Sequence, residues 1–182
     1  MKFITTPLKG NYMIHLEPKE DERGSFFRYF CMKEFGKNEL NTSWQQINIS
    51  TNRQLGTLRG LHYQREPNAE IKLVYCMKGA IWDVVVDLRD DSKTYGDWFG
   101  SELSSENRNM MYVPKGFAHG YISLKPNSEI LYLVSSFYEP ESEDSLIWND
   151  PDVKIDWPLE PKILSDKDKS AKYLKDTIPI IL

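Results

Sequence analysis

The chain has 182 residues, a formal net charge of -4, two cysteines and an apolar fraction of 40%. That length suits a single domain over 1–182, and the absence of a basic block argues against a grip on nucleic acid. No apolar run is long enough for a signal peptide or membrane span, and Cys31 and Cys76 form no C-x-x-C pair, so a reducing, cytoplasmic setting without membrane contact is expected.

The elements follow in chain order. Met13–Leu16 reads as a strand, Cys31–Phe35 as a short helix and Gln46–Thr51 as a further strand. Ile71, Leu73, Tyr75 and Met77 alternate with Lys72, Val74 and Cys76, the period-two signature of a strand. Lys78-Gly79 then turns into Ala80–Leu88, where Trp82, Val84, Val86 and Leu88 face one way and Asp83, Val85 and Asp87 the other. These two runs are expected to form a hairpin. Trp98–Leu103, Met110–Val113 and Ile130–Tyr138 complete the strands, with Pro114-Lys115-Gly116 and Pro126-Asn127 supplying turns. A last helix is expected over Ser165–Leu174. The Pro-punctuated final third (Asp150-Pro151, Trp157-Pro158, Glu160-Pro161) reads as a tail laid over the rest. Many short strands in a chain with 13% aromatic residues mean an all-β antiparallel sandwich, barrel or jelly roll with short flanking helices.

Only three histidines are available for chemistry. His15 lies in an apolar strand and reads as structural. His62 lies in Leu58-Arg59-Gly60-Leu61-His62-Tyr63-Gln64, where Gly60 permits close backbone approach. His119 follows the Pro114-Lys115-Gly116 turn, at a strand end where barrel mouths bind ligands. Pro-x-Gly-x-x-His resembles the second motif of cupins, many of which hold a metal. Their first motif needs His-x-His, and here it is His62-Tyr63-Gln64, so the ligand set falls short and no metal is expected. Gly-x-Gly-x-x-Gly, Walker and Gly-x-Ser-x-Gly motifs are missing, so no nicotinamide, ATP or serine-hydrolase site is signalled. Acid–base chemistry by His, Tyr, Lys and Asp on an Arg-gripped ligand remains.

Asp21-Glu22-Arg23-Gly24, Thr57–Gln64, Lys72-Leu73-Val74, Val113–His119 and Trp148-Asn149-Asp150-Pro151 occur in one order. Ile155-Asp156-Trp157-Pro158 and Leu164-Ser165-Asp166-Lys167-Asp168 extend it. Together they resemble the dTDP-4-dehydrorhamnose 3,5-epimerase family from about residue 4 to 170. The resemblance implies a cupin-like β-sandwich, a homodimer, and no metal or other cofactor. It implies inversion at C3 and C5 of a nucleotide-diphosphate-linked 4-keto-6-deoxy sugar, hexose or heptose, through an enolate, for surface glycan synthesis.

By that resemblance His62 is the base, Asp168 its carboxylate partner, Tyr132 the proton donor, and Lys72 the cation beside the C4 oxygen. Ser165-Asp166-Lys167-Asp168 also reads as a capping box opening the last helix, so pairing and capping both stay open for Asp168. Arg59 and His119 match diphosphate contacts, and Gln46 and Asn48 a polar strand patch near the ligand. Tyr138, Glu143 and Lys167 match further contacts, while Arg23 and Phe26 match residues lent across the dimer. One position departs: Arg28 stands where the family has Glu. Arginine reads the paired acceptors of guanine, so a GDP-linked substrate is expected in place of the dTDP-linked one, unless Arg28 points to solvent or pairs with a carboxylate such as Glu22. Rival readings are a C3-only epimerase or keto-isomerase on the same fold, and a non-catalytic sugar-nucleotide-binding module.

Overall fold

The computed structural model describes residues 1–182. Strands β1 (Lys2–Thr5), β2 (Tyr12–His15), β3 (Lys19–Asp21) and β4 (Gly24–Phe26) precede helix α1 (Met32–Lys37). Then come β5 (Gln46–Asn52), β6 (Leu58–Gln64), β7 (Lys72–Lys78), β8 (Ala80–Asp87) and β9 (Trp98–Ser104). The chain continues through β10 (Asn109–Val113), β11 (Phe117–Ser123), β12 (Ser128–Val134), β13 (Glu143–Ser145) and the one-turn helix α2 (Asp166–Lys169).

Two antiparallel sheets face each other. One runs β1-β2-β10-β7-β12-β5 and the other β13-β6-β11-β8-β9, with β3 and β4 forming a separate ribbon. This is the all-β, jelly-roll architecture expected from the sequence. No helix is long and apolar enough to cross a membrane.

The expected β7–β8 hairpin does not form. β7 pairs with β10 and β12, whereas β8 pairs with β11 and β9. Gly79, at φ +77°, carries the chain from one sheet to the other, and a side chain there would run into Ser128. The crossing places Val74 and Cys76 of β7 against Ile81 and Val85 of β8 in one core cluster. Paired side by side, those four residues would share one sheet and leave the facing sheet without them.

Both sheets are also covered on their outer faces. Leu73, Tyr75 and Leu133 pack under Phe27, Tyr29, Phe35 and Trp44 of the N-terminal third. Leu61, Tyr63, Val84 and Val86 pack under Leu146, Val153, Trp157 and Ile180, so the final third does lie over the sandwich.

Two boundaries move. β12 stops at Val134 and does not reach Tyr138, because Ser135 turns its hydroxyl to the backbone N–H of Ile71, 2.8 Å away. The helix expected to run to Leu174 stops at Lys169, since Lys172 instead pairs with the backbone of Leu146 and Ile147.

Candidate active site

A cavity of about 520 Å³ opens between the two sheets. Its walls are set by the close approach of β6 and β11. Gly60 has φ +118°, and a Cβ there would lie 2.6 Å from the Cα of Gly120. Only glycine admits that contact, and it brings His62 and His119 into direct register across the strand pair. Both imidazoles line the cavity, together with Arg59, Lys72, Tyr132 and Asp168.

His62 Nε2 lies 2.7 Å from Asp168 Oδ1. Asp168 also donates its backbone N–H to Ser165 Oγ at 3.1 Å, so the pairing and capping readings hold together. Burial pulls the Asp168 carboxyl upward, but the hydrogen bonds and charge of His62 and Ser165 outweigh it and leave it below the usual carboxylate value.

Lys72 alternates with Leu73 as the strand period requires. Leu73 faces the outer cluster, whereas the ammonium reaches the cavity and forms an ion pair with Glu70. Tyr132 comes from the opposite sheet to His62. Its hydroxyl is held above the ordinary phenol value by burial and by the charge of Glu70, so it stays a donor at neutral pH. Asn48 stands opposite Tyr132 in strand register. Arg59 donates from Nε to Asn52 Oδ1 at 2.9 Å, and Asn52 in turn donates to the hydroxyl of Tyr121 at 3.3 Å.

Lys167 lines the cavity and starts a second polar chain, whose other members, Glu143, Tyr138 and Gln46, are not among the lining residues, nor is Asn48. Lys167 pairs with Glu143 at 2.5 Å, and the Tyr138 hydroxyl donates to Glu143 at 2.8 Å. The backbone N–H of Tyr138 donates to Gln46 Oε1 at 2.7 Å.

Arg23, Phe26 and Arg28 are not brought to this cavity. Arg23 forks onto Asp21, and Phe26 is 69% exposed on the β3–β4 ribbon. Arg28 lies 3.4 Å from Glu34, so the carboxylate pairing left open above is made with Glu34 and not with Glu22. With Arg28 outside the cavity, nothing in the arrangement supports a GDP-linked substrate.

Several residues at the cavity wall or behind it escaped the sequence reading. Ser50 and Tyr121 share a hydrogen bond of 2.8 Å at the cavity wall. Asp83 is fully buried and holds His119 Nε2 at 2.8 Å from Oδ1, while its Oδ2 meets no partner. Burial pushes the Asp83 carboxyl up, and the facing His119 only partly offsets this. An acid between Ile81 and Val85 on the inward face was the available signal, since such a residue needs a buried partner. No three His, Cys, Asp or Glu side chains converge at metal-ligand spacing.

The sequence profile of dTDP-4-dehydrorhamnose 3,5-epimerase matches residues 5–176. A protein of that name from Methanothermobacter thermautotrophicus is 43% identical over 100% of this chain and 98% of its own. The crystal structure of the corresponding epimerase from Elizabethkingia anophelis superposes with a TM-score of 0.92 at 46% identity, covering 97% of each chain. A Legionella pneumophila 3,5-epimerase in complex with dTDP-4-keto-L-rhamnose superposes with a TM-score of 0.91 at 40% identity, covering 96% of this chain and 93% of the other. With the match spanning both sheets and the tail that carries Asp168, the chain belongs to the dTDP-4-dehydrorhamnose 3,5-epimerase family.

Proposed function

We propose that this cavity inverts C3 and C5 of a dTDP-linked 4-keto-6-deoxy hexose without a metal or nicotinamide. One observation carries the reading. His62, held by Asp168, stands on one sheet and Tyr132 on the facing sheet, with Lys72 on the cavity wall. Protons at C3 and C5 flank the C4 ketone, so a base can remove them to give an enolate. His62 takes the proton, and Asp168 fixes the ring and steadies the imidazolium. The Lys72 ammonium stabilises the charge growing on the C4 oxygen. Tyr132 returns a proton from the opposite face, which inverts the centre. Arg59 and His119 bind the diphosphate, with Tyr138, Glu143 and Lys167 as further ligand contacts. A binding module has no need of such a pair on opposite walls.

The dTDP-linked sugar bound to the Legionella relative supports thymidine over guanosine. A homodimer fits the exposed Ile47 (65%) and Ile49 (62%) on edge strand β5. In it Arg23 and Phe26 of one copy complete the nucleotide site of the other. Light scattering would report the dimer, and Phe26→Ala would raise KM more than it lowers kcat; a monomer with an unchanged KM would reject this part.

The experiment is NMR of dTDP- and GDP-linked 4-keto-6-deoxy sugars with the protein in heavy water, after exhaustive chelation. Deuterium entering both C3 and C5 of the dTDP-linked sugar is expected. Incorporation at C3 alone leaves the monoepimerase, and none with any substrate leaves the binding module.

A further inference from the structure

Helix α2 is a single turn of four residues, Asp166–Lys169. A helix this short has no stability of its own, because it makes too few bonds to repay its nucleation. The chain enters it from Ile163, whose carbonyl accepts from the N–H of Leu58, and leaves it at Lys172, whose carbonyl accepts from the N–H of Ile147. Between these ties, the side-chain pairs from the turn to the sheets are Asp168 with His62 and Lys167 with Glu143.

Ser165 is the N-cap, with extended backbone (φ -71°, ψ 157°), and its Oγ accepts the N–H of Asp168. In a full capping box the acidic residue at the third helical position would turn back onto the N–H of the cap. Here that carboxylate turns away to His62 Nε2, so only the serine half of the box is made. The turn has a backbone bond from the Lys169 N–H to the Ser165 carbonyl, and Ser170 closes its far end, but the N–H of Asp168 itself is held by the Ser165 hydroxyl. That hydroxyl also lines the cavity beside His62.

We propose that Ser165 is a positioning residue, which by capping α2 fixes Asp168 and through it the imidazole of His62. The inference rests on the epimerase reading for its effect on rate, but not for its effect on the His62–Asp168 contact. Losing the cap lets the turn fray and the carboxylate drift, while leaving the diphosphate grip of Arg59 intact. Displacements on the ångström scale at a reacting group cost rates on the order of 10- to 100-fold.

The test compares wild type, Ser165→Ala and Ser165→Thr. Proton NMR of the substrate-free protein reads the low-field ring N–H of His62 held by Asp168. The ring N–H of His119 held by Asp83, on the sandwich core, is the internal reference. In Ser165→Ala the His62 signal is expected to be lost or broadened with the His119 signal unchanged, and kcat should fall 10-fold or more with KM nearly constant. Ser165→Thr keeps the acceptor and should restore both. An intact His62 signal and kcat in Ser165→Ala overturns the proposal, as does loss of both histidine signals together, which would mark a general stability role. Failure of threonine to restore the signal rejects the cap as its cause. Absence of epimerisation in wild type, with the NMR pattern as expected, would fail the functional reading alone.

Discussion

A base on one wall and an acid on the other are not interchangeable, so the two side chains should fail differently when removed. His62→Ala takes away the only imidazole held by Asp168 and should abolish exchange at both carbons, a loss of at least ~10²- to 10⁴-fold. Tyr132→Phe removes the donor on the facing sheet. It should preserve deuterium exchange by His62 while inversion falls, most visibly at C5. Equal and small effects in a coupled NMR assay would mean that neither group handles the proton. At this scale the sequence carried much of the site. His62, Lys72, Tyr132 and Asp168 came from the family resemblance, Tyr132 from that alone, and all four line one cavity. Asp83 did not, because its partner His119 lies 36 residues away on β11 and no local spacing announces that pair. Ser50 and Tyr121 were equally silent, being ordinary strand residues until the fold brings their hydroxyls together.

β6 and β11 left no period-two trace, because Arg59-Gly60 and His119-Gly120 interrupt their apolar residues and burial on both faces asks for no polar side. All seven residues of β11 are buried, as are five of seven in β6. The hairpin expected at Gly79 shows the complementary limit: local turn chemistry reveals that the chain reverses but not that it changes sheets. What was legible about β6 was Gly60, and its role can be tested. Gly60→Ala would drive a methyl into Gly120 and the carbonyl of His119, at a φ that L-residues rarely adopt. A loss of more than about 1 kcal/mol in denaturant unfolding is expected, with activity falling further as His62 and His119 separate. Gly36, inside α1, is the contrast. A Cβ there would meet only Thr42 Cγ2, at 3.7 Å, so Gly36→Ala should be neutral or stabilising by up to about 1 kcal/mol. A Gly60→Ala protein as stable as wild type would mean that the strands are not pressed together as described.

Across the whole molecule, the final third is a cover, and carboxylates tie it down. Asp144 takes Lys172 and Arg65, with Arg65 also donating to the carbonyl of Ile178. Asp150 Oδ2 accepts the N–H of Leu174 at 2.6 Å, and Asp168 takes His62. Asp87 anchors Arg89 through paired bonds, where the chain bridges to Ile180. Asp87, Asp144 and Asp168 all feel burial raising their carboxyls, yet their hydrogen bonds and ion pairs outweigh it and hold each below its ordinary value of 3.8. A depressed carboxyl adds stability that is full above its unfolded value and is lost as pH falls through the lower folded one. Asp83, inside the sandwich, is raised, so it carries the opposite sign: protonation relieves a buried charge and favours the fold at low pH. Acid should therefore loosen the cover while the sheets beneath it hold. Pepsin digestion at falling pH should first release fragments from the segment beyond β13 once the pH passes below 3.8, with the β7–β8–β11 core resistant under the same conditions. Asp144→Asn removes one tie and should move that onset to higher pH. Simultaneous cleavage of core and cover at every pH, or an onset indifferent to Asp144→Asn, would show that apolar packing alone holds the tail in place.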